Sequence, residues 1–450
     1  MGQRLRPLSG LDAGFLYLEA SGTPMHVGSL MLLEPPKRRG YDPVNALRGH
    51  IAERLPHAPA LRRLLQPAPL ELGHPMWAEA AELDLEWHVR DFKLAAPGTS
   101  AKLNAMVARL HAEMLPRDRP MWQFVVIRGL QSGLVALYSK IHHALLDGQG
   151  GVALAQALLD IEASPPKRES GPRAALGRVR RRDVARTAMG ATVRQFSNLL
   201  RELPATLRLA AGAATGGNLL GRIRDSVLIA PRTPFNAQVS PERSFATATL
   251  SLDLVKRVSK GFEVSLNDVV MALCASALRD HLLRRRMLPD EPLVAAMPVS
   301  LRQAGNTEIN NQVSMVQCTL ATDVADPVER LRAINASTAQ IKSRVAAFRH
   351  LIPTDFPGLA APIWAAGLTR LWTRGRVAER LPPLANVSIS NVPGPPMHLF
   401  LAGSRLQQYH PVSIVTHGLG LNITVQRYAG QLEFGITACS QALPKPDTLA

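Results

Sequence analysis

Residues 133–151 read GLVALYSKIHHALLDGQGG, and the reading of this stretch decides the fold. Its first part, GLVALYSKIHH (133–143), is rich in apolar, β-branched and aromatic residues, which is strand chemistry. MWQFVVIRGL (121–130) has the same character and precedes it across a short polar connection, so the two predict a hairpin. GVALAQALLDI (151–161) then predicts a helix. Between strand and helix sits HHALLDG (142–148). Adjacent strand residues point to opposite faces. One of His142 and His143 can therefore face a reaction channel while the other packs or hydrogen-bonds behind it. This argues against both holding one metal ion, and no H-E-x-x-H or carboxylate spacing completes such a site. A neutral imidazole, with a reference pKa of about 6.5, suits the removal of a hydroxyl or thiol proton at neutral pH. Asp147 either orients the His143 ring or pins the turn through an arginine, and Gly148 permits a sharp backbone turn.

Working outward, residues 1–164 alternate short apolar runs with turn signals. MHVGSLMLLEP (25–35) predicts a strand, and DPVNALRGHIAERL (42–55) a helix with Asp42 as N-cap and Pro43 at its first position. SAKLNAMVARLHAEML (100–115) predicts a second helix, capped by Ser100 and stopped by Pro116. In the second half, SFATATLSLD (244–253), EPLVAAMPVSLR (291–302), NQVSMVQCTL (311–320) and NVSISNVPG (386–394) predict strands. LGLNITVQRYAGQLEFGITA (419–438) predicts a hairpin turning at Ala429-Gly430. SLNDVVMALCASALRDHLL (265–283) and DPVERLRAINASTAQIKSR (326–344) predict helices. The fold class is α/β (α+β): a domain over 1–164, a crossover over 165–243 and a second domain over 244–450.

The chain has 450 residues, 46% of them hydrophobic, which is ample core and excludes long-range disorder. Only 19% are charged, yet 52 Lys+Arg against 35 Asp+Glu leave +17. Residues 165–232 carry 14 Lys/Arg and 4 Asp/Glu, a net +10, so the crossover holds more than half of the excess. Such a segment reads as a solvated crossover between domains, or as a contact for an anionic partner. Anionic headgroups attract each nearby basic residue by about 1 kcal/mol, while no aromatic stacking platform or zinc-finger spacing favours nucleic acid. The 3 cysteines form no CxxC pair, which speaks against a disulfide framework and for a reducing compartment. The N-terminus has no secretory signal pattern, and no stretch reads as a membrane helix.

The HHxxxDG pattern resembles the active-site motif of acyltransferases that use coenzyme A or carrier-protein thioesters. Among them are chloramphenicol acetyltransferase, plant hydroxycinnamoyl transferases, peptide-synthetase condensation domains and bacterial wax ester synthase/diacylglycerol acyltransferases. PLSGLDAGFLYLEASGTPMHVGSL (7–30) resembles the opening of the last family. RPMWQ (119–123) resembles its PLW motif with Met121 in place of Leu, and NDVVMALCASALRDHL (267–282) its ND motif and helix. PVSLR (298–302) and NVSISNVPGP (386–395) are similar to further segments.

The resemblance implies two chloramphenicol-acetyltransferase-like domains, each a mixed sheet with flanking helices, with the site in a tunnel between them. It implies acyl-CoA as cosubstrate, no bound cofactor or metal, and diacylglycerol or a long-chain alcohol as acceptor. His143 would be the general base, with His142, Asp147 and Gly148 completing the motif. Asn267, Ser390 and Asn391 are candidates for lining the substrate site from the second domain. No covalent acyl-enzyme is required, consistent with the lack of a GxSxG elbow. The expected location is cytoplasmic, peripheral to the inner membrane face or lipid inclusions. Two alternatives stand beside this reading: a condensation-type transferase using carrier-bound acyl groups, and a non-catalytic membrane- or lipid-droplet-surface protein on the same fold.

Overall fold

The computed structural model describes residues 5–68, 73–146, 150–165, 183–190, 197, 228–300, 313–348 and 380–450. In the N-terminal half, β1 (Arg6–Pro7) leads into α1 (Gly10–Leu18), whose N-cap Ser9 accepts from Asp12 N. β2 (His26–Glu34) follows, then α2 (Pro43–Arg54), in which Asp42 accepts from Val44 N and Asn45 N and Pro43 opens the helix as expected. β3 (Arg63–Gln66) and β4 (Met76–Glu79) pair with β1 in a small sheet. Next come α3 (Leu85–His88), β5 (Val89–Lys93) and α4 (Ser100–Ala112). The N-cap of α4 is Thr99, which accepts from Lys102 N, and not Ser100; a neighbouring hydroxyl one residue earlier took the role. β6 (Trp122–Arg128) and β7 (Val135–His142) form the expected antiparallel hairpin, and α5 (Gly150–Leu158) follows the histidine turn.

In the C-terminal half, β8 (Arg243–Ser251) precedes α6 (Leu252–Gly261) and α7 (Leu266–Arg284). Ser265 and Asp268 close a reciprocal capping box at the start of α7. β9 (Val294–Ser300), β10 (Val313–Thr319), α8 (Pro327–Phe348), β11 (Val387–Val392), β12 (Phe400–Leu401), β13 (Ser404–Val412), β14 (Leu421–Tyr428) and β15 (Gln431–Cys439) complete the order. The β14–β15 hairpin turns at Ala429 and Gly430, both at positive φ (45° and 81°), the geometry a two-residue hairpin loop requires.

Two six-stranded mixed sheets result, in the orders β12-β13-β2-β7-β6-β5 and β10-β9-β11-β14-β15-β8. Each pairs some strands parallel and others antiparallel: β5 with β6 and β11 with both β9 and β14 are parallel. The mixed two-domain α/β class expected from the sequence is therefore present. One feature was not foreseen. Residues 400–412, which lie within the 244–450 half, join the N-terminal sheet: β13 pairs with β2, Arg405 opposite Glu34 through Val412 opposite Gly28, and β12 pairs with β13 at the edge. Tyr428 anchors this lent segment: its hydroxyl donates to Leu406 O (2.9 Å) and accepts from Leu399 N (2.8 Å). Where β13 crosses β15, Gly435 lets the chains touch, since a Cβ there would lie 1.7 Å from Pro411 O.

β7 sits inside the N-terminal sheet and is buried along nearly its whole length. Its two faces serve different cores. Ala136 and Tyr138 face α4 (Leu103, Val107, Leu110), while Leu137 and Ile141 face a core with α1, α2 and α5. Burying each such aliphatic side chain contributes about 1.5–3 kcal/mol. The strand that carries the histidines is thus pinned from both sides.

The basic crossover expected over 165–243 lies mostly outside the described residues; 183–190 are helical and 228–243 run up to β8. Among the described residues, no single helix is long and apolar enough to cross a membrane.

Candidate active site

The chain leaves the sheet at the histidine pair. His142 is the last residue of β7, opposite His26 of β2, and its N–H donates to Met121 O (2.9 Å). His143 opens a short 3-10 turn (His143–Leu145), and its N–H donates to Met25 O (2.8 Å). The alternation argued from sequence now has a definite sense. His142 shares a face with Tyr138 and Lys140 and is fully buried. His143 is half-buried on the side of Ser139 and Ile141.

His142 is hydrogen-bonded at one ring nitrogen only; the other is buried beside a carboxylate without forming a hydrogen bond. Nδ1 accepts from Ala144 N (3.1 Å), capping the turn that carries His143, and Nε2 lies 3.3 Å from Glu19 Oε1. Lys140 is buried beside it, donating to Leu110 O and Glu113 O (2.9 and 2.8 Å) at the end of α4. Burial pushes its ammonium down to about 8, against the opposing pull of Glu113.

His143 is held by shape instead. Its ring stacks on Phe15 of α1, centroids 3.9 Å apart and planes 17° from parallel. Nδ1 is buried with no hydrogen-bond partner. Burial pushes the imidazole down to about 4; the residue's own carbonyl pulls the other way and His142 adds a smaller lowering. At neutral pH the ring is therefore uncharged, the state a base requires.

An apolar cavity of about 190 Å³ adjoins the turn. Ile141 and Leu146, on either side of the histidine in sequence, line it, as do Leu154 and Leu158 of α5 and Leu401 and Tyr409 of the lent strands. Of its hydroxyls, those of Ser29 and Ser139 bond to each other at 2.7 Å, and most of the remaining lining is aliphatic.

Of the sequence candidates, Asp147 and Gly148 lie outside the described residues. Asn267 and Asn391 are brought together across the C-terminal half, Asn391 Nδ2 donating to Asn267 Oδ1 at 3.5 Å, and Asn391 Oδ1 is buried without a partner. Ser390 lies on β11 opposite Thr424. No hydrogen bond joins these three to either histidine. Next to Asn267, Asp268 is wholly buried and accepts from Ser265 N, Asn335 Nδ2 and Thr338 Oγ1, which locks α7 onto α8. Trp122 packs, donating Nε1–H to Leu61 O (2.8 Å). Phe15, Glu19 and Met25 were missed as site residues. All three lie in 7–30, the stretch whose resemblance carried no assigned roles. Among the described residues, no cluster of three or more His, Cys, Asp or Glu is placed to hold a metal ion.

The paired mixed sheets and the histidine turn at the end of a central strand place the chain among the thioester-dependent acyltransferases that the sequence resembles. Residues 8–270 match the family described as wax ester synthase/diacylglycerol acyltransferase catalytic domain, and residues 309–450 match the WS/DGAT C-terminal domain. The chain belongs to the wax ester synthase/diacylglycerol acyltransferase family and is an acyltransferase. A Mycobacterium bovis protein provisionally named a diacylglycerol O-acyltransferase is 34% identical over 441 residues, 96% of this chain and 94% of that one. A similarly named protein of Mycobacterium tuberculosis is 36% identical over 445 residues, covering 97% and 95%. The solved wax ester synthase/diacylglycerol acyltransferase from Marinobacter aquaeolei VT8 is 30% identical, with a TM-score of 0.69 over 98% of this chain and 96% of that one. A condensation domain of the calcium-dependent antibiotic synthetase, 15% identical with a TM-score of 0.56 over 100% and 94%, shares the fold.

Proposed function

We propose that the protein moves a long-chain acyl group from acyl-CoA to diacylglycerol, or to a long-chain alcohol, with His143 as general base. The observation that carries this is the His143 ring itself. It is uncharged, stacked on Phe15, and bracketed by residues that line an apolar cavity. With its proton on Nδ1, Nε2 is the nitrogen that accepts the acceptor's hydroxyl proton. The oxygen adds to the thioester carbonyl, the carbon–sulfur bond breaks, and the imidazolium returns its proton to the departing coenzyme A thiolate. A base so positioned supplies about 10²–10⁴ in rate. Asn267 and Asn391 are the amides proposed to line the site from the C-terminal half, with Ser390 beside them, and the cavity takes an apolar chain of one substrate. The basic segment over 165–232 favours work at an anionic membrane or lipid-inclusion surface on the cytoplasmic side.

Purified protein should release free thiol from palmitoyl-CoA only when hexadecanol or diacylglycerol is present, and His143→Ala should abolish it. Near wild-type turnover in His143→Ala would overturn the assignment of the base. Activity with acyl-carrier protein alone, and none with acyl-CoA, would replace the proposed donor.

A further inference from the structure

We propose that Glu19 is a positioning residue for the acyl transfer, setting the His143 base through two separate connections; this rests on the function proposed above. Glu19 follows α1 directly, and its carboxylate is fully buried. Oε2 accepts from Arg117 Nη2 (2.9 Å) and Nε (3.3 Å), and Oε1 accepts from Met25 N (3.2 Å) and faces His142 Nε2 (3.3 Å). Burial alone would push this carboxyl up, yet the contacts with His142, Arg117 and Met25 outweigh it and hold the group ionised.

The first connection runs through His142. The Ala144 N–H can only donate, so His142 Nδ1 must accept and the ring proton sits on Nε2, the nitrogen 3.3 Å from Glu19 Oε1. The Ala144 N–H thus fixes the tautomer, and the Glu19 carboxylate beside Nε2 favours the ring placement with which His142 caps the turn His143–Leu145. The second runs through Met25, whose N–H goes to Glu19 while its carbonyl accepts from His143 N (2.8 Å). Phe15, one helical turn earlier on the same segment, supplies the stacking surface for the His143 ring. One short stretch thus grips the base by its backbone, by its neighbour and by its face. An amide in place of the carboxylate must present its NH₂ either to the Arg117 guanidinium or to the Nε2–H of His142, and both are donors.

The test compares wild type, Glu19→Gln, Glu19→Asp and Arg117→Gln. The readouts are kcat and KM for palmitoyl-CoA with hexadecanol, thermal melting, and ¹⁵N NMR of the labelled His142 ring. The expected result is a folded Glu19→Gln with kcat down about 100-fold, as a misplacement of about 1 Å costs, and KM for palmitoyl-CoA within about twofold. Glu19→Asp should recover part of the loss, and the Nε2–H signal of His142 should be present in wild type and shifted in Glu19→Gln, where the carboxylate charge beside it is gone. A folded Glu19→Gln with kcat within about twofold of wild type overturns the proposal. If Glu19→Gln does not fold, Arg117→Gln decides, because that side chain is 43% exposed: a kcat loss above about fivefold supports the role, and none overturns it. A wild type with the Nε2–H signature but no acceptor-dependent turnover would overturn the transferase reading and leave the Glu19–His142 contact standing.

Discussion

Phe15→Ala probes the environment of the base directly. Phe15 covers one face of the His143 ring at 3.9 Å, and desolvation is the main reason that ring titrates at about 4. From a reference near 6.5, this is a depression of about 2.5 units, or about 3 kcal/mol against the charged form at 1.36 kcal/mol per unit. The sign follows: the neutral ring is the working form, so kcat/KM should hold as pH falls below 7 and collapse only near pH 4. At pH 5.5 about 97% of such rings are neutral, whereas an ordinary histidine would retain about 9%. Removing Phe15 admits water to one face and should raise the value by about one unit, which at pH 4.5 costs about threefold in neutral fraction. The assay jumps enzyme from pH 7 into acidic buffer, reads initial thiol release, and returns it to pH 7 to confirm recovery. An acid limb near pH 6.5 in wild type would refute the argument, as would an identical limb in Phe15→Ala.

Other consequences of the structure are open to measurement. Glu433 is fully buried on β15, 3.3 Å from His410 of the lent strand, with Oε1 unpartnered, and burial pushes its carboxyl up to about 7 against a bond from Thr249. Charging it costs stability as pH rises from 4.5 through 7, so Glu433→Gln should raise the denaturant midpoint at pH 8 by an amount equal to about 1–3 kcal/mol and leave it nearly unchanged at pH 4; a loss at pH 8 would contradict this. Gly435→Ala should destabilise by about 1–3 kcal/mol or prevent folding, because the Cβ meets Pro411 O at the sheet crossing; a wild-type melting temperature would refute the contact. Asp268→Ala leaves Ser265 N, Asn335 Nδ2 and Thr338 Oγ1 without their acceptor and should cost about 3 kcal/mol in chemical denaturation; a loss below about 1 kcal/mol would mean α8 does not depend on it.

Much of the secondary structure was legible because it is written in local chemistry. Asp42-Pro43 opens α2 and the Ala429-Gly430 turn sets the β14–β15 hairpin, each signal complete within a few residues. β13 was not legible. Its sequence, SRLQQYHPV, has a bulge between Leu406 and Gln408 that breaks the alternation, and Pro411 removes a backbone donor. That segment is a strand because β2 offers it an open edge, not because its own residues demand one.

The candidate site divides along the same line. The chain by itself named the histidine turn, since strand alternation is a property of the backbone and separates His142 from His143 whatever surrounds them. Which of the two is sealed, and what grips each, was decided by contacts between distant segments. Phe15 and Glu19 reach the pair across more than a hundred residues, and the cavity beside it is closed partly by Leu401 and Tyr409 from the far half. Such contacts arise when sheets and helices pack, so no local pattern records them.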